Sequence, residues 1–358
     1  MNLPADRSFE AYQQFVLDCK IFWSTRVYPE VKSRWEAHSE AARSRGTPPP
    51  RTADGVAALF SGDPLHQFYA WYERHLQRMK YSGRLGLVPQ HERSRDTIEA
   101  RLAQADSLPC LKLDPKLRAP DWYTAFDVHQ HPGGVWGDTL AGVVYERGAR
   151  STTPLVRRHA DLHERLTEEL LARTRPKRLL DLGCGFGKST RPFYLADPAM
   201  EIVATDLSAP CLRLAALTAH DDGARAVSFL QADAARTGLE SGTFDAVTST
   251  MLLHEVPPDH LEQIFTESYR VLRPGGLAVH LDFLVSEAAP FGRFIHFGHG
   301  VRNNEPVMEP RCRMDVAATL LRLGFSRVEI LPFEEAPGTL SPEHRSWRFP
   351  WALVVAHR

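Results

Sequence analysis

Residues 181–190 read DLGCGFGKST. The stretch follows the apolar run Arg178-Leu179-Leu180-Asp181-Leu182 and leads into a helical pattern, so it is a glycine-rich strand-to-helix turn. Such a turn accommodates a phosphate, a dinucleotide or another adenosine compound, and the glycine spacing separates them. A phosphate-binding loop ending in Gly-Lys-Ser needs glycine at 182, where Leu182 stands. The dinucleotide pattern G-x-G-x-x-G needs glycine at 188 after Gly183 and Gly185, and finds Lys188. What is present is Gly183-x-Gly185-x-Gly187 behind the acid Asp181. Those glycines let the chain pass beneath a ligand without Cβ obstruction.

The flanking sequence narrows the choice. Apolar runs recur at 202–205, 227–230, 244–248, 277–283, 327–331 and 349–356, nearly all separated by helical or loop segments. That alternation predicts a Rossmann-like α/β sheet covered by helices on both faces. The expected count is seven strands, six parallel and one antiparallel, the last two forming an edge hairpin. Asp206 ends the run IVATD, 23 residues past Gly183, where a carboxylate can accept two ribose hydroxyls. Asp233 ends FLQAD, placed to accept from an adenine amino group.

DLGCGFG, ATDLS, QADA, FDAVTSTMLLHEV and VLRPGG together resemble the class I S-adenosylmethionine-dependent methyltransferases in order and spacing, over roughly 155–358. The resemblance implies S-adenosylmethionine as cofactor and S-adenosylhomocysteine as product. It implies that Gly183, Gly185 and Gly187 line the methionine end and that Asp181 holds the loop or the cofactor's amino group. Asp206 would bind the ribose, Leu207 would pack on adenine, and Asp233 with Ala234 would meet the adenine edge. Thr250 would approach the sulfonium through its backbone. Lys188 is expected to face solvent.

Methyl transfer from a sulfonium is an in-line displacement, so a base is needed only for an acceptor that arrives protonated. His254, in Leu-Leu-His-Glu-Val-Pro, is the catalytic candidate, with a structural histidine as the other reading. Glu255 is expected to face solvent or cap the next helix. Enzymes that methylate nucleic-acid bases carry an Asn/Asp-Pro-Pro-aromatic element where this chain has Ser249-Thr250-Met251-Leu252. Lys and Arg total 43 against 44 Asp and Glu, which gives no basic footprint for nucleic acid. The expected acceptor is a small metabolite methylated on O, N or C, in specialised biosynthesis. The other reading is a non-catalytic cofactor-binding protein whose N-terminal half binds a protein partner.

Residues 1–150 lack strand–helix alternation and divide from a methyltransferase domain at 151–358. Phe9, Tyr12, Phe15, Val16, Cys19 and Phe22 form a helical stripe over 7–28, and Thr47-Pro48-Pro49-Pro50 breaks it. Asp63-Pro64 reads as an N-cap with proline at the first helical position. Helices are also expected at 92–105 and 155–174. The region is expected to cap the site or to form a homodimer. Two stretches are candidate covers: 284–312, taken as a long loop, and 121–150. From them come the expected substrate-pocket residues His129, Trp136, Tyr145 and His296. Asp127, His129 and His131 alternate as facial metal ligands can, but Pro132-Gly133-Gly134 favours a polar turn, and no metal is assigned. Five scattered cysteines without a CxxC pair, and no apolar run near the ~20 residues of a membrane span, point to a reducing cytoplasm and no membrane partner.

Overall fold

The computed structural model describes residues 7–151 and 162–358. Among them are eight strands: β1 Leu111–Lys112, β2 Arg178–Leu182, β3 Glu201–Asp206, β4 Val227–Gln231, β5 Phe244–Thr250, β6 Leu272–Phe283, β7 Arg327–Pro332 and β8 Trp351–His357. They form one sheet in the order β1-β4-β3-β2-β5-β6-β8-β7. β8 runs antiparallel to both neighbours, and the other pairings are parallel. The expected Rossmann-like sheet is present, with one correction. It has eight strands, because two residues of the irregular 109–154 stretch add beside β4. The expected antiparallel hairpin of the last two strands lies at the sheet edge, with β8 between β6 and the edge strand β7.

The period of two along each strand divides the apolar residues between two faces. Leu179, Ile202, Ala246, Val279 and Leu353 belong to one cluster. Leu180, Val247, Ala278 and Val354 belong to the other, beneath helices Pro258–Val271 and Val316–Arg322. Strand order reverses at β2, with β3 on one side and β5 on the other. Loops leaving the C-terminal ends therefore part there and open a crevice.

The first helix, Arg7–Phe22, continues through a π-helical turn at Trp23–Val27 into Tyr28–Ser44, further than the expected 28. Pro29 cannot donate to a carbonyl one turn back, and the chain widens just before it. Asp63 caps Pro64–Tyr81 by accepting from His66 N–H at 2.9 Å. Arg95–Ala103 lies inside the expected 92–105, and Leu162–Arg173 inside the expected 155–174, whose first residues fall outside the described ones. The stretch 284–312 is not a loop: it forms helices Pro290–Asn303 and Met308–Cys312. Its glycines serve close approach, since a Cβ on Gly300 would lie 3.1 Å from the Glu305 carbonyl and from Met308 Cβ.

These helices share the core of the sheet. Trp23 stacks on Tyr69 at 4.9 Å, donates its indole N–H to the Tyr69 carbonyl at 3.1 Å, and lies 5.1 Å from Trp347. Phe60 stacks on Phe294 at 5.5 Å. One cluster joins Trp23, Phe60 and Tyr69 to strand residues such as Ile202 and Val279. Phe60→Ala should therefore cost about 3–5 kcal/mol. Urea unfolding followed by fluorescence and by circular dichroism should show a single shared transition, shifted to lower denaturant.

Candidate active site

The loop after β2 turns on three left-handed glycines, Gly183, Gly185 and Gly187, at φ +66°, +52° and +82°. A Cβ on Gly183 would strike Leu252, and one on Gly187 would strike Ala215. Gly185 differs: a Cβ there would meet only Tyr145, at 3.9 Å, so the space above it is open. Asp181 is fully buried, and its Oδ2 accepts from the Ser189 and Thr190 hydroxyls at 2.7 Å each. Its Oδ1 has no partner among the described residues. Burial raises its pKa to about 6 despite those hydroxyls.

Asp206, at the end of β3, accepts from Gly185 N–H and Ser208 N–H at 2.8 Å each, one on each oxygen. A carboxylate has about four acceptor positions, so both oxygens keep capacity for a ligand. Asp233 Oδ1 accepts from Ala235 N–H at 2.8 Å and pairs with His260 Nε2 at 2.9 Å. Burial alone would raise the Asp233 carboxyl, and these bonds outweigh it. Thr250 ends β5 with its hydroxyl buried and unpartnered, just before Met251 at φ +56°.

Gly183, Gly185, Asp206, Leu207, Asp233, Ala234 and Thr250 line one cavity of about 1300 Å³, and Asp181 and Gly187 do not. Its walls also come from the helical region: Trp23, Glu73, Lys80, Trp122, Tyr123 and His129. Trp136 and Tyr145 line it as well, whereas His296 does not. The His296 ring lies behind Trp347 and Phe349, at 5.8 and 6.1 Å, and those two rings face the cavity. Lys188 is not a solvent-facing lysine but a half-buried part of the wall.

A chain of ionisable groups crosses this cavity. His254 Nδ1 is 2.9 Å from Asp282 Oδ1, and its Nε2 is 3.2 Å from Glu255 Oε1. The same Glu255 oxygen is 3.0 Å from His129 Nε2, and His129 Nδ1 is 2.9 Å from Glu305 Oε1. Burial would lower both histidines, yet the flanking carboxylates outweigh it. They bring His129 to about 9 and hold His254 well above the usual range. At neutral pH each is an imidazolium donating from both nitrogens, so neither has a lone pair free for a substrate proton. Glu255 neither faces solvent nor caps a helix. Sequence spacing could not show this, because one partner of Glu255 is the distant His129, and the other, His254, is oriented by Asp282 on another strand.

His129, Gln130, Met251 and Asn304 are the non-glycine residues with left-handed backbone among the described ones; His129 and Met251 line the cavity, and Gln130 and Asn304 are each next in sequence to a lining residue. Such conformations cost about 1–3 kcal/mol each and persist where contacts impose them. Gln130 Nε2 donates to the Arg302 carbonyl at 2.6 Å, and Asn304 Nδ2 to the Asp127 carbonyl at 3.2 Å. Asp127, His129 and His131 diverge. Asp127 accepts from Gly133 N–H at 3.1 Å, and His131 stacks on Tyr81 at 4.8 Å. No group of three metal-ligating side chains forms among the described residues.

Residues 179–276, which hold the glycine turn, Asp206, Asp233 and His254, match a family model described as a methyltransferase domain. Residues 179–276 are a methyltransferase domain. This methyltransferase domain is 36% identical over 134 residues to a demethylmenaquinone methyltransferase of Thermus thermophilus, covering 37% of this chain and 60% of the relative. It is 36% identical over 127 residues to a malonyl-[acyl-carrier protein] O-methyltransferase of Enterobacter lignolyticus, covering 35% and 47%. The chain thus spans about half the length of these curated relatives. A structure of Haemonchus contortus phosphoethanolamine N-methyltransferase 2 with S-adenosyl-L-methionine aligns at TM-score 0.41 and 17% identity, over 54% of this chain and 52% of that one. At that level it adds nothing to the assignment.

The raised pKa of His129 makes a prediction about stability. Its pKa rises from 6.5 unfolded to about 9 folded. Its contribution is therefore complete below pH 6.5 and is lost as pH climbs through 9. His129→Asn keeps a residue tolerant of the left-handed backbone. In urea titrations the stability gap between wild type and variant should be largest below pH 6.5 and close toward pH 9.

Proposed function

We propose that the chain transfers a methyl group from S-adenosylmethionine to an O, N or C atom of a small molecule held in the same cavity. The observation that carries this reading is the open space above Gly185, beside a carboxylate with unused acceptor positions, in a cavity larger than one ligand needs. Single-ligand pockets occupy roughly 300–1,000 Å³. The cavity here, at about 1300 Å³, leaves an acceptor space beside the cofactor.

When bound, S-adenosylmethionine supplies a methyl group on a positively charged sulfur. Asp206 would hold the ribose hydroxyls, Leu207 the adenine face, and Asp233 with Ala234 the adenine edge. Gly183, Gly185 and Gly187 would pass beneath the methionine end. Asp181, with one oxygen already bonded to Ser189 and Thr190, would hold the loop. Thr250 stands where the strand ends at the crevice. Residues 1–150 would cap the site, with Trp136, Tyr145 and His129 on the acceptor wall and His296 supporting Trp347 behind it.

His254 would serve the acceptor by holding Glu255 in place. It becomes a base only if Glu255 moves away and frees Nε2. The walls favour a small molecule over a protein or nucleic acid, because the acceptor space lies under packed helices. The non-catalytic reading leaves that space without a role. A homodimer through the N-terminal helices remains part of the proposal, and sedimentation velocity reads it.

Calorimetric titration tests the cofactor assignment. S-adenosylmethionine and S-adenosylhomocysteine should bind, and NADH should not. Asp206→Ala should weaken both by roughly 10²-fold, the worth of one or two charge-assisted hydrogen bonds. Binding of NADH in place of the sulfur compounds would end the methyltransferase reading.

A further inference from the structure

Lys20, on helix Arg7–Phe22, and Lys80, on helix Pro64–Tyr81, both line the cavity. Lys80 is 2% exposed. Buried cations of this wall such as Arg348 and His129 have carboxylate partners, Glu335 for the first and Glu255 with Glu305 for the second, and Arg302 next to the wall has Glu73. The lysines do not. Lys20 Nζ reaches the Ser151 carbonyl at 3.3 Å and Gln77 Oε1 at 3.5 Å, and Lys80 Nζ reaches the Gly148 carbonyl at 3.5 Å. Among the described residues, no ion pair joins either ammonium to a carboxylate.

The carbonyl contacts are long, and they lie at the end of helix Ala141–Ala149, where a cation is favoured. They occupy one or two of the three donors that each ammonium carries. Glu73 and Glu305 are near enough to favour the charge on Lys20, but both are already bonded, to Arg302 and His299 and to His129 respectively. A buried cation without a counter-ion costs several kcal/mol. Burial accordingly lowers Lys20 to about 8 and takes Lys80 well below the usual lysine range. Two such groups on one cavity wall form a receptor for a negative charge that arrives with a ligand. Around them Trp23, Leu76, Trp347, Phe349 and Trp351 give apolar and aromatic walls.

We propose that Lys20 and Lys80 receive a carboxylate or phosphate group of the methyl acceptor, whose aromatic or apolar body lies against the surrounding rings. This inference rests on the methyltransferase reading, since it concerns the second ligand of the same cavity. It narrows the acceptor from any small metabolite to an organic anion.

The test titrates the full chain, saturated with S-adenosylhomocysteine, with benzoate, phenyl phosphate and neutral benzyl alcohol. At least one anion should bind ten-fold or more tightly than benzyl alcohol, and the better anion separates carboxylate from phosphate. Lys80→Met should remove that preference and leave S-adenosylhomocysteine affinity within two-fold. Lys20→Met, at a more accessible position, should reduce the same preference and guards against a misfolded Lys80 variant. Anions binding no better than benzyl alcohol would overturn the proposal. So would a Lys80→Met protein that loses S-adenosylhomocysteine but keeps methylthioadenosine, because the lysines would then hold the cofactor's own carboxylate. If S-adenosylhomocysteine fails to bind the wild type, it is the underlying methyltransferase reading that falls.

Discussion

Glu255 is a carboxylate placed between two imidazoles, with His254 on the sheet side and His129 on the helical side. A carboxylate taken out of water costs several kcal/mol unless its partners are well placed, and removing one partner of such a pair is far worse than never having made it. Each imidazole is backed in turn by a second carboxylate, Asp282 on β6 and Glu305 beyond helix Pro290–Asn303. The chain of charges is complete only when residue 129 lies over the C-terminal edge of the sheet. It thereby fixes how the helical region covers the crevice, and it accounts for the left-handed backbone at His129.

The same constraint shapes the cavity. Glu305 and Asn304 close the helix whose other residues, His299 and Arg302, bond Glu73 from the N-terminal helices. Three separate parts of the sequence therefore meet at one wall. Apolar packing of Trp23, Tyr69 and Trp347 backs it and shares a core with the strands. The helical region built this way is part of the folded body, since its apolar residues share one core with the strands.

The places of the glycine turn, Asp206 and Asp233 in the fold were legible because each is set by local sequence: an apolar run, then a residue at its end. Six of the eight strands' parallel course followed from the same alternation. What could not be read were features decided across long separations. Leu111–Lys112 joins the sheet only because β4 offers a free edge, and two residues carry no period. Gly298 and Gly300 look like helix breakers, yet the second admits the Glu305 carbonyl and Met308 at close range. Glu255 looked like a surface acid because one partner, His129, is far away in the sequence, and the other, His254, is held by Asp282 on another strand. His296 had the right residue type, but Trp347 and Phe349 stand between it and the cavity.

The central claim is that one cavity, roofed by the helical region, holds both the methyl donor and its acceptor. A crystal structure with S-adenosylhomocysteine tests it most directly. The account predicts the ribose on Asp206, adenine between Leu207 and Asp233, and the sulfur near Thr250, with open space remaining toward Glu305 and Lys80. A ligand bound outside the crevice, or one that fills the whole cavity and leaves no room for an acceptor, would contradict it.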